Sequence, residues 1–148
     1  MNKRLRLRPA RKEDLPAILA IERLSFPTPW QATHFFVELY RDYARLWVAE
    51  IEGQVVGYIC FWIIADEAHL ANIAVHPSCR GQGVGSELLR VFLRFARRRG
   101  ARRALLEVRA SNRVARRFYE KFGFEKDGVR RSYYQDTKED AVLMSKRL

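Results

Sequence analysis

Apolar residues recur along this chain with two alternating periods, and the alternation lays out its elements. Arg4 to Arg8 alternates basic with apolar side chains, the period of a half-buried strand. From about Asp14 to Leu24 the spacing becomes that of an amphipathic helix, with Leu15, Ile18, Leu19 and Ile21 turned inward. Two prolines between Ser25 and Trp30 interrupt it, and a second helix is predicted from about Gln31 to Tyr40. Three apolar runs follow as strands, Arg45 to Ile51, Gln54 to Ile64 and Ala68 to Val75, the first two joined by a Glu52-Gly53 hairpin turn. A helix from Gly85 to Arg99 places Leu88, Leu89, Phe92, Leu93 and Ala96 on one face and stops at Gly100. A buried strand, Ala104 to Arg109, comes next. Asn112 then opens a helix that runs through Phe118 and Tyr119 to Gly123, and strands are predicted over Phe124 to Tyr133 and Ala141 to Leu148. The order β-α-α-β-β-β-α-β-α-β-β predicts an α/β or α+β fold on one mixed sheet.

Length suits a single domain over residues 1–148, long enough to bury roughly 70% of the unfolded surface. A 48% hydrophobic and 12% aromatic composition without repeats argues against disorder. Met1 to Arg8 contains no apolar run, so neither a signal peptide nor a membrane span is expected, and the cytoplasm is the expected compartment. Cys60 and Cys79 are the only cysteines, and His34, His69 and His76 lack metal-ligand spacing; neither a disulfide framework nor a metal site is predicted. Cys60 reads as a core residue and Cys79 as a small loop residue.

The net charge of +11 raises the question of nucleic acid. Arginines cluster at Arg97, Arg98, Arg99, Arg102 and Arg103, and again at Arg113, Arg116 and Arg117. Both runs fall where helices show solvated faces or C-terminal ends, and cations are favourable at a helix C-terminus without any partner. Contact with nucleic acid is expected to be incidental.

The chemistry concentrates in N-I-A-V-H-P-S-C-R-G-Q-G-V-G-S-E, from Asn72 to Glu87. An apolar strand meets a proline, glycines stand at positions 81, 83 and 85, and a helix opens at once. Such a loop lets backbone N–H groups converge on an anion while the helix adds the positive end of its dipole. A P-loop would need a lysine that is missing here. A dinucleotide fingerprint would need its third glycine where Ser86 stands, although Glu107 lies near the acidic position of that motif. A glycine-rich turn without a ligand is the third reading. The remaining pattern, Arg80-x-x-Gly83-x-Gly85 after a V-x-P strand end, resembles the pyrophosphate loop of the GNAT superfamily of acyl-CoA N-acetyltransferases.

The resemblance extends over nearly the whole chain, because that superfamily has the same order of elements. L-E-V-R-A-S-N (Leu106 to Asn112), F-Y-E-K-F-G-F (Phe118 to Phe124), R-R-S-Y-Y (Arg130 to Tyr134) and E-D-A-V-L-M (Glu139 to Met144) resemble the ribosomal protein S18 alanine N-acetyltransferase family. It implies direct transfer of an acetyl group from acetyl-CoA, without a metal, to the α-amine of a protein N-terminus, that of ribosomal protein S18 in particular. Glu107 matches the general base and Tyr119 the general acid beside the coenzyme sulfur. Ile73, Ala74 and Val75 match the backbone groups that hold the pantetheine. Arg80, Gly81, Gln82, Gly83, Val84, Gly85 and Ser86 match the pyrophosphate cradle, and Asn112 a further coenzyme contact. Phe26 and Pro27, with Tyr133 and Tyr134, resemble the loops flanking the peptide groove. Asp66, Glu67, Asp136, Glu139 and Asp140 are candidates to meet a basic peptide.

The residues allow other readings of the same positions. Burial in an apolar strand should raise the pKa of Glu107 towards that of a useful base, but an ion pair with Arg109 would also explain a carboxylate there. Tyr119 could be core, and Asn112 could cap its helix. The segment Gln135 to Lys138 departs from the proline-containing turn common in the family. A lysine or small-amine acetyltransferase and a non-catalytic basic module for RNA or the ribosome are the alternative functions.

Overall fold

The computed structural model describes residues Arg4 to Leu148. Its elements follow the predicted order: β1 (Leu5–Pro9), α1 (Leu15–Ser25), α2 (Ala32–Tyr40), β2 (Ala44–Ile51), β3 (Gln54–Ile64), β4 (Glu67–Val75), α3 (Val84–Arg98), β5 (Arg103–Arg109), α4 (Arg113–Lys121), β6 (Glu125–Arg130) and β7 (Ala141–Arg147). Short 3₁₀ turns precede α1 and follow β4. The seven strands form one sheet in the order β1-β2-β3-β4-β5-β7-β6.

Helices cover both faces. Ile18, Ile21 and Phe35 of α1 and α2 pack on Leu46, Val48, Tyr58 and Cys60. The apolar stripe of α3, Leu88, Leu89, Phe92, Leu93 and Ala96, is buried against the opposite face, where Phe61, Leu70, Leu106 and Tyr119 meet it. Gly100, at φ +81°, ends that helix in the left-handed conformation that an L side chain resists.

Two features of the sheet shape the centre of the molecule. β4 and β5 are parallel and pair only through Glu67–Arg103, Ala68–Ala104 and His69–Leu105, after which they diverge. In addition, β4 carries a bulge at Ala71, since Cys60 faces Asn72 while Phe61 faces Leu70. One extra residue reverses the alternation of the strand. Ala68, Leu70, Ile73 and Val75 therefore all join the α3 side, and Ala71 and Ala74 join the α1 side.

The predicted strand Phe124 to Tyr133 is shorter than expected. Pairing with β7 ends at Arg130; Ser132 takes φ +50° and donates its N–H to Asp140 Oδ1 at 2.8 Å. Tyr133 and Tyr134 consequently lie in the loop between β6 and β7. No helix among the described residues is long and apolar enough to cross a membrane.

Candidate active site

The divergence of β4 from β5 leaves backbone polar groups along one edge of Ile73, Ala74 and Val75 without a strand partner. At the end of this edge Gly81 and Gly83 adopt φ +77° and +86°, conformations that glycine takes at little cost. Gly83 caps α3, so the amides of Val84, Gly85 and Ser86 belong to the first turn, at the positive end of the helix dipole. A cradle of first-turn N–H groups beside an open strand edge fits a long ligand bearing a pyrophosphate, as coenzyme A does. Gly85 is not in the left-handed region, and a Cβ there would sit 3.7 Å from both Phe118 and Val75, an ordinary contact distance. Arg80 is turned back, its Nε donating to the Val75 carbonyl at 3.2 Å and its Nη2 to Ser25 Oγ at 3.3 Å. Asn112 caps α4, its Oδ1 accepting from the Ala115 N–H at 3.1 Å.

Glu107 lies on the α1 face of β5, half-buried. Its ion partner is not Arg109: His69 Nε2 stands 3.1 and 3.2 Å from the two carboxylate oxygens. A carboxylate can only accept, so Nε2 carries the hydrogen. This bond holds the Glu107 carboxyl below its ordinary range, outweighing a burial that works in the opposite direction. The rise expected from an apolar strand is thus corrected to a fall, because the deciding group stands on the neighbouring strand. Trp62 stacks edge-on against His69 at 5.1 Å, and its indole N–H donates to the fully buried Glu38, which also meets Arg41 Nη1 at 2.9 Å.

Tyr119 occupies the other face, 7% exposed among Phe118, Phe122 and Phe124. Burial pushes its hydroxyl well above the ordinary tyrosine range, with Tyr134 adding to the rise. It keeps its proton at any working pH. Tyr134 itself is pushed up to about 12, first by burial and then by the charges around it, Arg109 opposing and Glu107 reinforcing. The two candidate acid–base groups therefore flank the diverging strands from opposite faces, and Tyr134 feels the first and acts on the second. Such a pair can take a proton on one side and give one on the other.

The loops predicted to flank a groove are joined. Thr28 Oγ1 donates to Asp136 Oδ2 at 2.7 Å, linking the α1–α2 segment that carries Phe26 and Pro27 to the β6–β7 loop that carries Tyr133 and Tyr134. Phe26 packs partly on the α1 core, while Pro27 and Tyr133 are exposed. Four of the carboxylates expected to meet a basic peptide already have partners: Asp136 and Glu139 bind Arg109, Asp140 accepts from Ser132, and Glu67 lies 3.8 Å from Arg103 Nη1. Asp66 and Glu67 also border a recess of about 310 Å³ with His69 and Glu107.

The sequence matches the model of the acetyltransferase (GNAT) family over residues 15–124. The chain belongs to that family. It is 40% identical over 145 residues, 97% of this chain and 96% of the other, to a Bacillus subtilis (strain 168) protein provisionally named a ribosomal protein bS18-alanine N-acetyltransferase. It is 36% identical over 134 residues to the Escherichia coli K12 ribosomal protein bS18-alanine N-acetyltransferase, covering 89% and 90% of the two chains. The crystal structure of the ribosomal-protein-S18-alanine N-acetyltransferase from Escherichia coli superposes with a TM-score of 0.89 at 32% identity, over 97% of this chain and 93% of that one.

In this GNAT chain the residues that sequence reasoning missed are polar groups inside apolar stripes. Glu22 is 1% exposed and accepts from Tyr58 Oη, from Asn72 Nδ2 at 2.8 Å and from the Trp30 N–H at 2.8 Å, tying α1 to β3, to the bulged strand and to the next loop. The signal was present: Glu22 falls in phase with Ile18, Ile21 and Ser25, as Glu38 does with Phe35. His69 carried no such signal, since its partner lies 38 residues away.

Proposed function

We propose that the chain is an N-terminal protein acetyltransferase using acetyl-CoA, whose acceptor is the α-amine of the N-terminal Ala of ribosomal protein S18. The observation that carries the chemistry is the diverging β4–β5 edge with Glu107 on one face and Tyr119 on the other. The acceptor follows from the relatives named for it at 36 and 40% identity. A ribosomal acceptor sets the enzyme in the cytoplasm.

Bound acetyl-CoA would supply a thioester, held by the backbone of Ile73, Ala74 and Val75, by the loop from Arg80 to Ser86, and beside Asn112. The chain supplies proton transfer and position. As the amine nitrogen forms its bond to the acetyl carbon, Glu107 accepts the proton the nitrogen gives up. As the bond from that carbon to sulfur breaks, the Tyr119 hydroxyl gives its proton to the leaving thiolate. Tyr134 and Phe26 line the approach of the acceptor.

A carboxylate held low suits an acceptor that is already partly neutral. An α-amine with a pKa near 7.8 is roughly a quarter neutral at pH 7.4, whereas a lysine near 10.4 is only about one part in a thousand neutral. The test compares an Ala-Arg-Tyr peptide, the same peptide formylated at its N-terminus, and a peptide with a blocked N-terminus and an internal lysine, each incubated with acetyl-CoA and read by mass spectrometry. Only the first should gain an acetyl group; acetylation of the blocked lysine peptide at the rate of the first would replace this reading with a lysine or small-amine acetyltransferase.

A further inference from the structure

Arg109 sits two residues beyond Glu107 and on the same face of β5, yet it points its guanidinium at the loop between β6 and β7. Nη1 and Nη2 reach Asp136 Oδ1 and Oδ2 at 3.1 and 2.8 Å, a bidentate pair. Nη1 also donates to Thr137 Oγ1 at 3.2 Å and lies 3.6 Å from Glu139. The same group stacks on the Tyr134 ring, 4.1 Å from its centroid. Asp136 in turn accepts from Thr28 on the α1–α2 loop. One side chain thus fixes an aromatic wall on one side of the candidate groove and, through one carboxylate, the loop on the other.

Resting on the acceptor reading above, we propose that Arg109 is the positioning residue for the acceptor peptide. Arg109 and Glu107 are neighbours on one face of a central strand, so the clasp registers both groove walls to the base. Walls already held in register need no ordering when the peptide binds, so the clasp contributes to peptide affinity. An isolated exposed ion pair would be too weak for this, but a fork bound at both nitrogens and stacked on a ring resists displacement. Arg109 and Thr28 hold the Asp136 carboxyl well below the usual range, so the clasp stays charged throughout neutral pH.

The experiment uses the full chain and the Ala-Arg-Tyr peptide. Arg109→Lys keeps the charge but loses the fork and the stacking, and should raise peptide KM about tenfold, leave kcat within about twofold and leave acetyl-CoA KM unchanged. Asp136→Asn and Thr28→Val, both at exposed loop positions, should each raise peptide KM a few-fold, and the double variant should match the more severe single one because both break the same link. Calorimetric titration of the peptide into the enzyme with coenzyme A should show the same losses of affinity. Peptide KM unchanged in all variants, with a lowered melting temperature, would make Arg109 a plain loop staple; a fall in kcat alone would move it into the chemistry. Either result overturns the proposal. A parent chain that acetylates no peptide would instead sink the acceptor reading itself.

Discussion

His69 Nε2 faces both carboxylate oxygens of Glu107, at 3.1 and 3.2 Å, from the last paired position of β4 to a residue of β5 two places beyond its partner Leu105. The contact joins the strand that ends in the glycine loop to the strand that carries the candidate base. It also sets the direction of a pH dependence. Glu107 is held low, so its ionised form is favoured in the folded state; that contribution is present above the ordinary carboxylate value and is lost as pH falls through the lowered one.

The acceptor amine alone should make log kcat/KM fall with unit slope below about pH 7.8. The slope should steepen to two only where Glu107 takes a proton, at a pH below the ordinary carboxylate range of about 4.3. In His69→Ala the lowering partner is gone and burial still acts, so the steepening should move to higher pH. Profiles recorded where circular dichroism shows the fold intact decide this. A steepening at the same pH in both proteins would show that His69 does not tune Glu107.

Loss of the base and loss of the acid should look alike in rate. Glu107→Gln should lower turnover by roughly 10²- to 10⁴-fold, and Tyr119→Phe by a similar order, with coenzyme affinity largely kept. The Tyr119 side chain is held by packing against Phe118 and Phe124, so removing its hydroxyl should leave the melting temperature nearly unchanged. A stability loss with full activity in either variant would return that residue to a purely structural role.

The coenzyme cradle can be tested apart from catalysis. Gly83→Val puts a β-branched residue at φ +86°, where the cost comes from the backbone because no atom lies within 4 Å of a Cβ there. Isothermal titration should show a large loss of acetyl-CoA affinity. Gly85→Ala, whose Cβ would meet only ordinary contacts at 3.7 Å, should bind nearly as tightly as the parent. Equal affinity for all three proteins would remove the loop from the binding site.

The parts of this molecule that were legible in the sequence are those written in local periodicity. The five apolar residues of α3 are all buried as their spacing required, and the glycines at 81 and 83 take the left-handed conformations that such a loop needs. Pairing across the sheet was not legible. The lowered pKa of Glu107 depends on His69 on a parallel neighbour, and β7 lies between β5 and β6, a placement that no local pattern encodes. The bulge at Ala71 was hidden for the same reason: it is defined by what faces it on β3. Asp136 and Glu139 looked like free carboxylates because their partner, Arg109, is drawn to them only after β7 brings the loop back to β5.

Glu22 offers the last prediction, one about stability. It is buried with three donors aimed at it, and two of those come from Tyr58 on β3 and Asn72 beside the bulge. Burial and then the Glu22 carboxylate push the Tyr58 hydroxyl far above its ordinary range, so it remains a donor at every working pH. Glu22→Ala would leave all three donors without this acceptor, costing about 3–5 kcal/mol. At about 2–4 °C per kcal/mol for a chain of this size, the melting temperature should fall by roughly 6–20 °C. Tyr58→Phe deletes one donor and leaves an acceptor that still has two, so its cost should be nearer 1 kcal/mol. Thermal melts of the two variants order them. A Glu22→Ala protein no less stable than Tyr58→Phe would mean that this cluster does not hold α1 to the bulged strand.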